Sequence, residues 1–392
     1  MACTKRAPRY LGRMQERLPP VRVAIVVASL RIVGGHSVQA QRLLEAWKGD
    51  PAVEPWVVPI DPVPRAPFDR LLRIKVLRTV ITQVLYWPSL FRQLRRADVV
   101  HVFSASYLSF LLAPVPAVIV ARLLGKPIVL NYHSGEAPDH LRRSAVARFV
   151  MRHLVDANVV PSNFLRDVLA GFHISADVVH NTIDRRQFTY RPRDPLRPKL
   201  LCTRNFDALY NMGCVLRAFG AIQAQYPDAT LTLVGSGAQD AVLRAQTAAL
   251  RLRNVTFIGR VAPSNMHRHY DEADIYVQSP SIDNMPLSVL EAAASGTPLV
   301  STNVGGVPSM VSDGMDGLLV DDDDSDALAR AVLRLLADPP FARALAESAH
   351  RRLAAYDWPV IREGWLRAYH GVRSRSRAVA PQPVTNTGSN SA

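Results

Sequence analysis

The chain has 392 residues, 48% of them hydrophobic and 20% charged, with 47 Lys and Arg against 33 Asp and Glu for a formal net charge of +14. That is enough apolar material for a large core, and at roughly 100–200 residues per domain the length predicts two domains and excludes one small module. Three cysteines, Cys3, Cys202 and Cys214, lack CxxC or metal-ligand spacing, which argues against a disulfide framework and for buried thiols in a reducing compartment.

Residues 1–20 form a basic leader, Arg-rich but without the apolar stretch of a secretory signal, and no run of about 18 apolar residues occurs, so the expected location is the cytoplasm. The positive charge sits in the first half: residues 1–199 carry 30 Lys and Arg against 14 Asp and Glu, the remainder 17 against 19. Two readings stand for this asymmetry. It is either a face for an anionic partner, such as membrane headgroups or a lipid-phosphate acceptor on the cytoplasmic side of a membrane, or a reflection of nucleotide composition, since only five of the 47 cations are Lys. Nucleic acid is not an expected partner, because no aromatic-basic array accompanies the charge.

Along the chain, Val21 to Val27 is a short β-branched run bounded by Ser29 and a glycine pair, hence a buried strand. Similar runs at 56–60, 99–103, 128–131 and 157–160 alternate with helical stretches such as Val38 to Trp47 and Leu141 to Leu154. The apolar stretch Tyr107 to Val120, interrupted by Pro114 and Pro116, reads as a buried turn. Arg185 to Lys199, with three prolines and six cations, reads as exposed connection. Strand runs then resume at 200–203, 230–234, 255–258, 275–277 and 298–301. Strand-helix alternation with continuous apolar strands predicts two Rossmann-like, doubly wound α/β domains facing a central cleft. The expected boundaries are 21–190 for the first domain, 191–199 for the linker and 200–356 for the second domain. A helix over 357–373 should pack back on the first domain, and a Pro, Ser, Thr and Asn rich tail over 374–392 should be disordered.

The most informative segment is Ser279 to Pro298, SPSIDNMPLSVLEAAASGTP. Proline near a helix start and glycine at its end mark a helix from about Pro286 to Ser295. Glu291 is the one charged residue between Leu290 and Ala294, so its carboxylate enters an apolar setting where an unpaired charge costs several kcal/mol. An arginine partner or the helix dipole would satisfy it, and so would a vicinal diol such as a ribose, whose two hydroxyls donate to one carboxylate. Residues 283–285 also place backbone N–H groups and a positive helix end where a diphosphate can bind.

Asp283 and Glu291 stand at the spacing of the E-x7-E region of retaining glycosyltransferase family 4, which the segment resembles. Gly34-Gly35 after the first strand, Val304 to Pro308 and Asp313 to Val320 resemble further segments of that family, so the likeness covers roughly residues 21–372. The resemblance implies a GT-B fold and transfer of a hexosyl-type sugar from a nucleotide diphosphate sugar to a hydroxyl acceptor, soluble or lipid-linked, with anomeric retention. No metal or other cofactor is expected beyond the donor itself. By the same resemblance Glu291 binds the donor ribose, and Asp283, with His133 of the first domain, faces the transferred sugar. Asn284, Met285, Pro286 and Leu287 contact sugar and phosphate; Gly34, Gly35, Gly235 and Gly237 allow close approach of backbone to donor. Ordinary turn and cap roles remain open for these glycines, for His133 and for Asp283. Arg204 stands where the family presents an arginine to the diphosphate, but Tyr210, Asn211 or Met212 stands where a lysine should follow. Hence a second reading: a catalytically weak nucleotide-sugar-binding scaffold or partner subunit of a glycan assembly system.

Asp321 to Asp324 invites a metal reading, yet the run precedes a helix expected near Asp326, where negative charge suits the helix end. Gly235-Ser236-Gly237 lacks the third glycine of a dinucleotide fingerprint, and no GxxxxGK[ST] loop is present, which sets aside dehydrogenase and P-loop activities.

Overall fold

The computed structural model describes residues 19–29, 35–62, 75–104 and 106–379. The first 18 residues of the basic leader and the last 13 of the chain lie outside them, as do Cys3 and Gly34.

The β-branched runs form the strands of two all-parallel sheets. The first contains β1 (Val21–Val27), β2 (Val53–Pro59), β3 (Val99–Ser104), β4 (Ile128–Tyr132), β5 (Ala157–Val160) and β6 (Asp177–Val178) in the order β2-β1-β3-β4-β5-β6. The second contains β7 (Lys199–Thr203), β8 (Thr230–Val234), β9 (Val255–Gly259), β10 (Ile275–Val277), β11 (Leu299–Thr302) and β12 (Leu318–Val320) in the order β12-β11-β10-β7-β8-β9. Every residue of β3 and β4 is buried, as continuous apolar strands covered by helices on both faces require. In the second sheet the order reverses between β7 and β10, and ligands of doubly wound sheets bind outside the carboxyl ends of the strands at such a point. Arg204 directly follows β7, and the loop bearing Asp283 follows β10.

Several local expectations are corrected. Tyr107 to Val120 is two helices, Tyr107–Leu112 and Pro114–Leu123, because Pro114 takes the first position of a helix, where its missing N–H has no partner to lose. The stretch Leu141 to Leu154 breaks at Ser144, whose hydroxyl caps a new helix at Ala147 N. The connection at 185–199 is only partly exposed. Arg193 is buried, its Nη2 donating to Tyr270 O (2.8 Å) and its Nε to Ala273 O (3.2 Å), while Arg191 and Arg197 pair with the fully buried Asp274. Burial lowers the Arg193 guanidinium to about 10.

The C-terminal helix, Trp358–Val379, lays Ile361, Trp365, Ala368, Tyr369 and Val372 against β3, β4 and β5 of the first sheet. It continues past 373 into the segment expected to be disordered, since no helix breaker occurs before Pro381. Tyr369 Oη lies 2.8 Å from Nδ1 of the buried His101, whose Nε2 lies 3.1 Å from Asn131 Nδ2. Arg362 pairs with Asp50, and the Trp47 and Trp358 rings meet edge to face at 4.7 Å. Among the described residues no helix is long and apolar enough to cross a membrane.

Candidate active site

The loop 283–286 is built from both sides. Beneath it, Gly305 and Gly306 bring their backbone against it: Gly306 N donates to Asp283 O (2.9 Å), and a Cβ at Gly306 would collide with the Asn284 carbonyl oxygen and lie 2.8 Å from its carbon. Across the cleft, Asn284 Nδ2 donates to His133 O (3.3 Å) and its Oδ1 accepts from Ser162 Oγ, which also caps the Asn163–Gly171 helix. Asn181 N contacts Met285 Sδ at 3.3 Å. The helix Leu287–Ser295 then starts at Pro286 and ends on Gly296, whose φ of +70° is a left-handed cap conformation that glycine adopts without strain.

Two cavities open beside this loop and the helix it leads into. The larger, of about 310 Å³, is lined by His133, Arg204, Asp283, Asn284, Met285, Pro286 and Leu287 together with Gln39, Glu136 and Tyr210. The smaller, of about 180 Å³, is lined by Arg42, Arg204, Gly235, Ser236, Arg260 and Glu291, with apolar walls from Val38, Val261 and Met266. Arg204 lines both and so stands at their junction.

Arg204 is nine-tenths buried and forms an ion pair with Asp283; its Nη1 reaches Ser288 Oγ (3.4 Å) and its guanidinium lies 4.1 Å from the centre of the Tyr210 ring. Burial opposes the charge on Arg204, but Asp283 outweighs it and holds the guanidinium protonated. Burial raises the Asp283 carboxyl above the usual range, with Arg204 acting against the shift. Thus Asp283 and Arg204, expected to serve sugar and diphosphate separately, meet each other directly. Tyr210 occupies the Arg204 face on the side where a lysine was looked for.

Glu291 is equally buried and pairs with Arg42 of the first domain, Nη2 to Oε1 at 2.9 Å, while Tyr270 Oη donates to Oε2 at 3.2 Å. Burial first, then the Glu291 charge, push the Tyr270 phenol far above its ordinary value, so it remains a donor. Of the alternatives for this carboxylate, an arginine partner is present. Beneath the site, Ser288 Oγ and Tyr276 Oη both donate to Gln278 Oε1 (3.1 and 3.2 Å), and Gln278 Nε2 donates to Ser301 Oγ (3.0 Å), fixing the floor.

The glycines divide. Gly235, with φ of +154° and a hypothetical Cβ 2.9 Å from the Arg204 carbonyl carbon, lets the loop after β8 pass against the loop after β7, and it also lines the smaller cavity. Gly237 lines neither cavity; it packs on the Phe206 backbone, where a Cβ would sit 2.9 Å from Phe206 N. Gly35 opens the helix Gly35–Trp47, which carries Val38, Gln39 and Arg42 to the cavities. Asp324 caps the helix Ser325–Ala337 through Ala327 N (2.7 Å), and among the described residues no group of three or more His, Cys, Asp or Glu could hold a metal ion. The charge reading missed Arg42, Tyr270 and Ser162. Arg42 is 249 residues from its partner, and nothing local marks it.

A model of glycosyltransferase family 4 matches residues 33–187, and one of glycosyl transferases group 1 matches residues 188–352. The glycogen synthase of Mycobacterium tuberculosis is 28% identical over 304 residues, covering 74% of this chain and 72% of that protein. A GDP-mannose-dependent phosphatidylinositol monomannoside mannosyltransferase of Mycolicibacterium smegmatis is 29% identical over 171 residues, 41% of this chain and 45% of the relative. Among solved structures, Anabaena HepE in complex with UDP-glucose aligns with a TM-score of 0.72 at 17% identity, covering 89% of this chain and 99% of that one. Sucrose-phosphate synthase from Thermosynechococcus elongatus gives 0.72 at 20%, covering 91% and 100%. The chain belongs to the group 1 glycosyltransferases and has their GT-B fold.

Proposed function

We propose that this glycosyltransferase moves a hexosyl-type sugar from a nucleotide diphosphate sugar to a hydroxyl acceptor with retention of anomeric configuration. The observation that carries the reading is Arg204 at the junction of two cavities, with Glu291 in one and Asp283 in the other. The nucleoside takes the smaller cavity with its ribose on Glu291, the diphosphate lies at Arg204, and the sugar takes the larger cavity against Asp283, His133 and the 284–287 backbone. The HepE structure holding UDP-glucose and the mannosyltransferase named for GDP-mannose support a donor of this class. The acceptor hydroxyl attacks from the face the diphosphate leaves. Charge building on the leaving group is met by Arg204 and by backbone amides, and in this account no metal takes part.

The acceptor reaches the larger cavity from the first domain, and we place that domain against the cytoplasmic face of a membrane. Around the carboxyl end of its sheet, Val80, Val84, Leu108, Val146 and Phe149 are exposed beside the exposed Arg78, Arg142 and Arg143. The helices bearing them adjoin: Tyr86 Oη, from the helix Lys75–Leu94, donates to Ala113 O (3.0 Å), and Tyr107 Oη donates to Asp139 (2.8 Å). Exposed apolar side chains together with exposed arginines on adjoining helices suit an anionic bilayer that presents a lipid-linked acceptor.

The test is a panel of UDP-, GDP- and ADP-sugars with purified protein, following donor consumption and saturation-transfer NMR, with and without anionic vesicles. Binding followed by transfer is expected, and Glu291→Ala should lose donor affinity. Binding without transfer to any acceptor would favour the scaffold reading that Tyr210, in place of a lysine, also suits. Vesicle binding should weaken with salt; indifference to salt would remove the membrane placement.

A further inference from the structure

The smaller cavity carries three arginines, Arg42, Arg204 and Arg260, against one carboxylate, Glu291. Arg42 is paired with Glu291 and Arg204 with Asp283 of the adjoining loop, so the excess positive charge is that of Arg260, and the chemistry the cavity suits is an anion with hydroxyls attached, able to exchange with both pairs. Arg260 is exposed, whereas Arg42 and Arg204 are nine-tenths buried. Each of these two has one buried nitrogen with no acceptor among the described residues: Nη1 of Arg42 and Nε of Arg204. A buried donor with no acceptor is costly, so two of them on side chains that line one small cavity point to acceptor oxygens supplied there. Glu291 takes Nη2 of Arg42 and leaves its Nη1 without a partner among the described residues.

We propose that Arg42 is the second cation of the diphosphate site, delivered across the cleft by the first domain, and that it fills the role no lysine fills near residues 210–212. This rests on the nucleotide diphosphate donor proposed above. A guanidinium offers a phosphate two parallel donors where an ammonium offers a point charge, so Arg42 and Arg204 together can hold the diphosphate from both domains. Because Arg42 stands on the helix Gly35–Trp47 and Arg204 follows β7, only the closed arrangement of the two domains assembles the pair. Diphosphate affinity and closure are thereby coupled.

The experiment measures calorimetric affinities of UDP, GDP and ADP, each beside its own nucleoside, for the wild type, Arg42→Gln and Arg42→Lys. For the nucleotide that the wild type prefers, Arg42→Gln should lose about 10-fold or more in diphosphate affinity, the worth of a charged hydrogen bond, with nucleoside affinity unchanged and Arg42→Lys between. Equal losses for nucleoside and diphosphate would mean that Arg42 only positions Glu291, and no loss for either would mean that it faces no phosphate; both overturn the proposal. If Arg42→Gln does not fold, Arg42→Gln/Glu291→Gln is compared with Glu291→Gln alone, and the same diphosphate-selective loss is expected. Failure of the wild type to bind any of the three nucleotides would instead refute the donor reading beneath it.

Discussion

Replacing Asp283 by Asn tests how charge is shared at the junction of the two cavities. The substitution keeps shape and removes the counter-charge of Arg204, whose other contacts are the Tyr210 ring face at 4.1 Å and Ser288 Oγ at 3.4 Å. Breaking a buried pair from one side costs about 3–5 kcal/mol, and the Asn oxygen still accepts one hydrogen bond, so a loss near the lower end, about 3 kcal/mol, is expected. For a domain of about 150–250 residues, at 2–4 °C per kcal/mol, the second-domain transition should fall by roughly 6–12 °C. A diphosphate restores a counter-charge, so a saturating nucleoside diphosphate should raise the variant's melting temperature by more than it raises that of the wild type. The complete donor should lose affinity, because the amide cannot accept two sugar hydroxyls as a carboxylate does. Differential scanning fluorimetry with each ligand, paired with calorimetry, reads all three effects. If the variant melts with the wild type, or if the nucleoside diphosphate protects it less, Asp283 is not the group that holds Arg204 in the donor-free site.

Gly306→Ala would drive a Cβ into the Asn284 carbonyl and displace the 283–285 loop, so transfer should fall by about 100-fold, as misplacement of a binding loop by about 1 Å can cost. Gly314→Ala, at φ +71° with nothing within 4 Å of its Cβ, is the control: it should cost about 1 kcal/mol in stability and leave the rate unchanged. His101 is held neutral by burial, at about 3 against 6.5 when exposed. Below 6.5 the unfolded chain takes up a proton that the folded chain refuses, so wild-type stability should fall by about 1.4 kcal/mol per pH unit from 6.5 towards 3 relative to His101→Gln. Urea unfolding at pH 7, 6, 5 and 4 measures the difference; parallel curves for the two proteins would count against a buried neutral His101.

Strands were legible because burial on both faces demands short, mostly apolar runs rich in β-branched residues, which Val21 to Val27, Val99 to Ser104 and the start of Ile128 to Tyr132 supply. Asp177–Val178 was not legible: two residues at a sheet edge carry no period. Prolines misled at Tyr107 to Val120, where the breaker of one helix serves as the start of the next. Arg193 misled in the linker, because its composition marks it for solvent while its position ties three backbone carbonyls of the second domain and that of Arg191. At the site, the spacing of Asp283 and Glu291 pointed to one helix and its preceding loop, and both carboxylates are there. Their partners lie 79 and 249 residues away in sequence, a distance over which no periodicity speaks.

The two ion pairs bear on how a donor can enter a site whose charges are already satisfied. Glu291 holds Arg42, and Asp283 holds Arg204. A nucleotide sugar carries hydroxyls at both ends and phosphate charge in the middle. It can give its hydroxyls to the two carboxylates and its phosphates to the two arginines, so each buried charge changes partner and none is left alone. The desolvation of Arg204 and Asp283, both in the second domain, is met in folding and that of Arg42 and Glu291 on closure, so a dianion can be held without a lysine or a highly basic cavity. The exchange also has a direction. Arg42 belongs to the first domain and Glu291 to the second, so the open molecule would part them and leave each carboxylate and guanidinium to water. A donor that bridges both arginines favours the closed molecule by its differential affinity for that state.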